Sequence, residues 1–148
     1  MCLRSARERV FQSITFQIGG ILIATPLYAM ICGATAPEST ALIVAIAVFA
    51  TLWSPFHNAC FDILEWRLRG RVASDRPQGL RVVHAFSHEA TAMIVTVPLV
   101  MVMGGHSFVA AFALDTGLTL LYTAYAYVFH IGYDQLRPVA ISETALPA

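Results

Sequence analysis

Residues 9–62 fall onto residues 81–134 without a gap, at a constant offset of 72. Arg9 lands on Arg81, Pro26 on Pro98, Thr51 on Thr123 and Asp62 on Asp134. Gln17 lands on Glu89, Trp53 on Tyr125 and Phe61 on Tyr133. Few pairs are identical. The unbroken register and the chemical kinship of the partners nevertheless mark a duplication, and a repeat fixes the architecture before any local preference does. The unit is a hydrophobic hairpin, and two copies make the protein.

Four apolar stretches fill the two units, at 10–32, 41–64, 82–103 and 107–133. Each is long enough to cross the ~30 Å hydrocarbon core as a helix, which takes about 20 residues. Helices are expected because lipid cannot satisfy stray backbone groups. The chain is 57% hydrophobic and 12% charged, with a mean hydropathy of +0.68. A soluble domain carries about 25% charged residues. Too little polar surface remains to cover a water-soluble bundle. The expected fold is an all-α membrane protein of four transmembrane helices, built from two tandem two-helix repeats.

Arg4, Arg7 and Arg9 precede an apolar run, as in a secretory signal, and Ala34-Thr35-Ala36 resembles a cleavage site. The run is longer than the ~7–15 residues of a signal core, and its counterpart in the second repeat is internal. A retained first span is expected. The nine basic residues are all arginine. Arg4, Arg7 and Arg9 come before span 1, Arg67, Arg69, Arg71, Arg76 and Arg81 lie between spans 2 and 3, and Arg137 follows span 4. The positive-inside rule makes that side cytoplasmic, with both termini on it. The basic inner face suits anionic lipid headgroups. Net charge is zero, so nothing points to nucleic acid.

The first repeat covers 1–64 and the second 81–134, joined by a basic linker at 65–80 and followed by a tail at 135–148. The linker has Gly70, Pro77 and Gly79 as breakers, and room for a short interfacial helix through Trp66 and Arg69. The two copies enter from the same side, so an axis along the membrane normal should relate them. Gly19, Gly20 and Ala24 suit close helix contact on span 1. Pro26 and Pro98 recur mid-span, where proline removes a helix hydrogen bond. Cys2, Cys32 and Cys60 show no pairing or metal spacing.

Glu89 is the most pointed residue. It lies eight positions after Arg81, hence ~12 Å into the span. An ionisable group there is a functional hypothesis by default, and low dielectric favours its proton-bound form. That chemistry suits an exchanger in which a proton and a cation compete for one acid; a hydrogen-bonded structural Glu is the competing reading. Gln17, at the same place in repeat 1, copies a neutral Glu but has no proton to release. Asp115 lies as deep from the other side, so Glu89 and Asp115 would hold opposite halves of one path, unless Asp115 merely bonds Thr119. Arg9–Asp62 and Arg81–Asp134 are the expected ion pairs within each hairpin. His57, His84, His88 and His130 lie near one membrane face, and His84 and His88 share a helix face. A proton relay, a metal or haem held between spans, and plain interfacial histidines all fit; no tight metal motif is present. Phe16, Trp53, Tyr125 and Phe129 lie at the same level and offer rings to a hydrophobic cation.

These residues together resemble the proteobacterial antimicrobial compound efflux (PACE) family, made of tandem bacterial transmembrane pair domains. The family pattern Arg-x-x-His-Ala-x-x-Phe-Glu appears as Arg81, His84, Ala85, His88 and Glu89, and in repeat 1 as Arg9, Gln12, Ser13, Phe16 and Gln17. The second-span pattern appears as Trp53, Asn58, Phe61 and Asp62, the fourth as Tyr125, Phe129, Tyr133 and Asp134, with the 114–120 stretch also family-like. The resemblance implies a protein of the bacterial inner membrane that exports cationic biocides such as chlorhexidine by proton coupling, with short diamines as further substrates. It implies no cofactor and no enzyme activity. The family's functional carboxylate in span 1 maps onto Gln17, a departure that implies impaired coupling; whether native or introduced, the glutamine mimics the protonated acid. By the resemblance, Gln17, Glu89 and Asp115 serve proton and substrate, and Phe16, Trp53, Asn58, His84, His88, Tyr125 and Phe129 line the pocket. A bundle this small invites a second copy to enclose a path, so a homodimer is expected. A non-transporting assembly subunit and a haem-binding electron carrier are the other classes considered.

Overall fold

The structure, a computed structural model, describes residues 6–70 and 75–137, without the side chains of Ala6, Arg9 and Asp134. The described residues form four helices: α1 (Ala6–Cys32), α2 (Ala36–Arg69), α3 (Gln78–Gly104) and α4 (Phe108–Leu136). The offset of 72 carries both bounds of α1 onto those of α3, and the start of α2 onto that of α4.

The turns repeat as well. Gly33 and Gly105 both leave their helices in the left-handed region, at φ 65° and 68°. Glycine is the residue that adopts this region at least cost. Two residues later, Thr35 and Ser107 cap the next helix, each accepting a backbone N–H three residues on. At Thr35 the cap is reciprocal, because the Glu38 carboxylate returns to the Thr35 backbone N–H. These caps satisfy donors that a helix start leaves orphaned. The turns at 33–35 and 105–107 are thus two copies of one tight hairpin connection.

All four helices are long and apolar enough to cross a membrane. At 34 residues α2 is ~51 Å long, well beyond the hydrocarbon thickness. It absorbs Glu65 to Arg69, so Trp66 to Arg69 continue α2 instead of forming a separate interfacial helix, and the joint between repeats shrinks. Pro26 and Pro98 sit inside continuous helices.

Each helix packs on its neighbours in the order α1, α2, α3, α4, and α1 closes on α4. The tightest core lies at the glycine-turn end, where Ala24, Tyr28, Leu42, Ile43, Val97, Val100 and Ala111 are buried. It too obeys the repeat: Ala24 corresponds to buried Thr96, Ile43 to buried Asp115, and buried Ser39 to Ala111. The α1–α4 seam closes through the small residues, with Gly19 against the Tyr125 ring and Gly20 against Tyr122. A Cβ on Gly20 would come within 2.6 Å of the Tyr122 ring, so the glycine makes room for a neighbour's side chain. The outer faces stay apolar: Leu22, Met30, Ile94, Val102, Leu120 and Val128 are all largely exposed. Acyl chains are the solvent that such a surface requires.

Candidate functional site

Three groups of polar and aromatic side chains interrupt the apolar bundle, each placed by helical periodicity. The first lies between α3 and α4. Glu89 Oε1 accepts a 2.6 Å hydrogen bond from Thr119, and Asp115 Oδ2 accepts one of 2.8 Å from Thr96. Asp115 is 4% exposed, whereas Glu89 is half-buried. Residues 89 and 96 stand two turns apart on α3, and residues 119 and 115 one turn apart on α4, so both acid–threonine pairs span a single interface. The alternative in which Asp115 simply bonds Thr119 on its own helix does not occur, because Thr119 serves Glu89 and a threonine of α3 serves Asp115. At the positions of repeat 1 that match Thr96 and Asp115 stand Ala24 and Ile43, both buried. The second polar layer belongs to repeat 2 alone.

Gln17 shows what the repeat does to the first layer. Its amide Nε2 donates to Thr51 Oγ1 at 2.6 Å, while Thr51 donates its own proton to the Ala47 carbonyl. A carboxylic acid at position 17 would make the same bond only with its proton on, since Thr51 offers a lone pair. At Glu89 the polarity is reversed, as the threonine donates to the carboxylate. The two halves therefore pair the same helix position with a threonine in different ways, amide to hydroxyl in repeat 1 and hydroxyl to carboxylate in repeat 2.

The second group fills the α2–α3 seam. His57 is buried, and its ring centroid lies 5.2 Å from His84 and 5.1 Å from His88. Serines from opposite helices pin two of the rings, Ser87 on His57 Nε2 and Ser54 on His88 Nε2, each at 3.1 Å. Trp53 leans on His57, and Phe61 packs edge-on against His84 at 4.5 Å. Trp53 Nε1, His57 Nδ1 and His84 Nε2 are buried and have no hydrogen-bond partner among the described residues. The shared helix face of His84 and His88 is real, and it meets α2. Glu89 points the other way, to α4.

The third group is the counterpart of the second, on the α1–α4 seam. Phe16 stacks on Tyr125 at 4.9 Å and on His130 at 5.7 Å, and meets Phe129 edge-on at 5.3 Å. Tyr125 donates to the Phe16 carbonyl, and Gln12 bonds His130 Nδ1. Under the offset, Phe16 corresponds to His88, Tyr125 to Trp53 and Phe129 to His57. One seam is thus histidine-rich and the other phenyl-rich. The anticipated ring cluster divides between them, and Asn58 lies exposed outside both.

At the arginine-bearing end, Asp62 has a partner not anticipated from the sequence. Arg76, in the turn before α3, is buried and reaches back to α2, with Nε 2.6 Å from Glu65 Oε2 and NH2 2.5 Å from Asp62 Oδ1. Its guanidinium lies over the Phe61 ring at 4.9 Å. The Glu65 hydrogen bond, with Asp62 adding to it, raises the Arg76 pKa above its ordinary value although burial opposes this. Arg81 Nε donates to the Arg76 carbonyl. The other ends of the expected pairs, Arg9 and Asp134, carry side chains outside the described set. On the second seam Glu8 takes hydrogen bonds from Tyr133 and Arg137.

The sequence held a signal for some of these. Thr96 stands seven residues after Glu89, one face and two turns on, which marks a second layer. Arg76 carried none, since a basic residue in a polar linker reads as solvated. His106, given no role from the sequence, bonds the Tyr28 hydroxyl through Nε2 at 2.9 Å and ties the second turn to α1.

A family model described as BTP, chlorhexidine efflux transporter, matches twice in tandem, at residues 4–67 and 76–139. Among curated proteins, a short-chain diamines transporter of Vibrio parahaemolyticus is 24% identical over 88% of this chain and 91% of its own length. One of Acinetobacter baumannii is 28% identical over 89% of each chain. One of Acinetobacter baylyi is 24% identical over 89% of this chain and 91% of its own. No solved structure matches.

Proposed function

Because the chain belongs to the chlorhexidine efflux transporter family, we propose that it exchanges protons for organic cations, with Glu89 as the exchanging group. Family and relatives are transporters, not enzymes, and four spans make it a multi-pass protein of the bacterial inner membrane. The substrates are short diamines, as the relatives' names suggest, and chlorhexidine-like biocides, as the family description suggests.

The observation that carries this reading is the reversed hydrogen bonding at one duplicated position. Glu89 accepts from Thr119, while Gln17 donates to Thr51 as a protonated acid would. A carboxylate inside an apolar bundle persists only with a donor, a proton or a cation. When a cation approaches, its ammonium supplies the donors; when it leaves, a proton restores neutrality. Asp115, a turn further along α4, offers the next acid toward the glycine-turn end, and its Thr96 contact holds it in place. The arginine-bearing end faces the cytoplasm, by the positive-inside rule. Phe16, Tyr125 and Phe129 on one seam, and Trp53 with His84 and His88 on the other, give ring surfaces to an amphipathic cation. A second copy packs against the first as a homodimer and encloses the path.

The test is substrate-driven proton movement in proteoliposomes, read with a pH-sensitive dye. Glu89→Gln is expected to reduce diamine-driven proton flux to the level of empty vesicles. Flux that survives this change would overturn Glu89 as the exchanging group, and a parent chain that gives no flux at all would favour a non-transporting membrane subunit. Gln17→Glu is expected to increase the flux by restoring a second titratable acid.

A further inference from the structure

The arginine-bearing end of the bundle holds a cleft of about 380 Å³ between α2 and the start of α3. Phe61, Leu64, Leu68, Pro77 and Leu80 give it apolar walls. Glu65 also lines it, and this carboxylate is 5% exposed. One of its oxygens, Oε2, is bound by Arg76; the other, Oε1, is buried and has no hydrogen-bond partner among the described residues. A buried carboxylate oxygen without a donor is costly, so the cleft is incomplete as it stands. Around Arg76, two carboxylates face one guanidinium. Arg69, the cation at the rim, is solvent-exposed, where screening weakens it, and Arg81 turns its Nε to the Arg76 carbonyl. The volume lies within the ~300–1,000 Å³ common for small-molecule sites, and so does the make-up, mostly apolar with one placed polar group.

At the position of repeat 2 that matches Glu65 stands Arg137, which carries the opposite charge and is engaged with Glu8, so the buried carboxylate of this cleft is not a feature that the repeat duplicates.

We propose that this cleft binds an amphipathic monocation, a protonated amine or amidine on an apolar stem, whose N–H group completes Glu65 Oε1. Resting on the transport reading above, it is the place where the organic cation is collected before it reaches Glu89. The cation's stem lies on Phe61, Leu64 and Leu80, and its head replaces the missing donor.

The experiment measures equilibrium binding of benzylammonium, with benzyl alcohol as the neutral isostere, to the full chain in phosphatidylcholine nanodiscs, relative to empty discs. Glu65→Gln keeps the side-chain shape and removes the charge; it is expected to raise the benzylammonium Kd about tenfold or more and to leave benzyl alcohol unchanged. Since Glu65 also holds Arg76, a second variant, Leu80→Trp, fills the cleft while sparing that pair. It is expected to abolish the same component of binding with no change in the thermal midpoint. Native-like binding by both variants would overturn the site. Discs containing phosphatidylethanolamine separate a lipid ammonium from a free one: if they suppress the Glu65-dependent binding entirely, the lipid is the occupant and the collecting role falls. Proton flux is read separately. If the parent chain gives no diamine-driven flux, the transport reading fails while the cleft keeps its own binding curve; if Glu65→Gln binds normally, the cleft fails whatever the flux.

Discussion

Thr51 and Thr119 bond the two copies of one position from different registers and with opposite polarity. Thr51 corresponds to Thr123 under the repeat, yet Glu89 takes its bond from Thr119, one turn earlier on α4. Replacing Thr119 by Val removes the hydroxyl that Glu89 accepts from, and diamine-driven flux in proteoliposomes is expected to fall. Thr51→Val removes the acceptor of the Gln17 amide and is expected to leave that flux nearly unchanged, since Gln17 has no proton to exchange.

At the scale of the element, the caps decide where each span begins. Thr35 and Ser107 terminate copies of one turn, and Thr35 has the reciprocal Glu38 bond as well. Thr35→Ala is expected to cost about 1 kcal/mol, seen as a lower unfolding midpoint in detergent. Gly105→Ala, at φ 68°, is expected to cost a similar amount, about 1–2 kcal/mol, through the left-handed backbone. The helices themselves were legible as apolar runs, because length and hydropathy decide crossing. Their ends were less so. The apolar run of α2 fades near Leu64, but the helix continues through Glu65 to Arg69. Backbone hydrogen bonding persists where side chains have already become polar, and it is Gly70, left-handed at φ 61°, that stops it.

Across the whole molecule, the two seams are the same joint built with different chemistry. They match in place: Phe16 against Phe129 mirrors His88 against His57, and Tyr125 against Phe129 mirrors Trp53 against His57. The repeat could not say which helix each acid faces, because one residue turns a helix by about 100° and sequence alone does not fix the rotation. So His88 and Glu89, neighbours in the chain, serve different seams, and the Arg76 link between joint and α2 went unread. Gly20 makes the phenyl-rich seam possible by admitting the Tyr122 ring. Gly20→Val is expected to push α1 from α4, lowering both the unfolding midpoint and flux, whereas Gly132→Ala, with open space around its Cβ, should alter neither.

Arg76 leaves the second hairpin and lodges among carboxylates of the first, like a dovetail cut on one plank for a socket in the other. A chain severed between residues 72 and 73 therefore still carries its fastening on the correct fragment. Separately expressed halves should find each other in the membrane and co-purify. With Arg76→Ala, which removes the tongue but neither plank, they should drift apart.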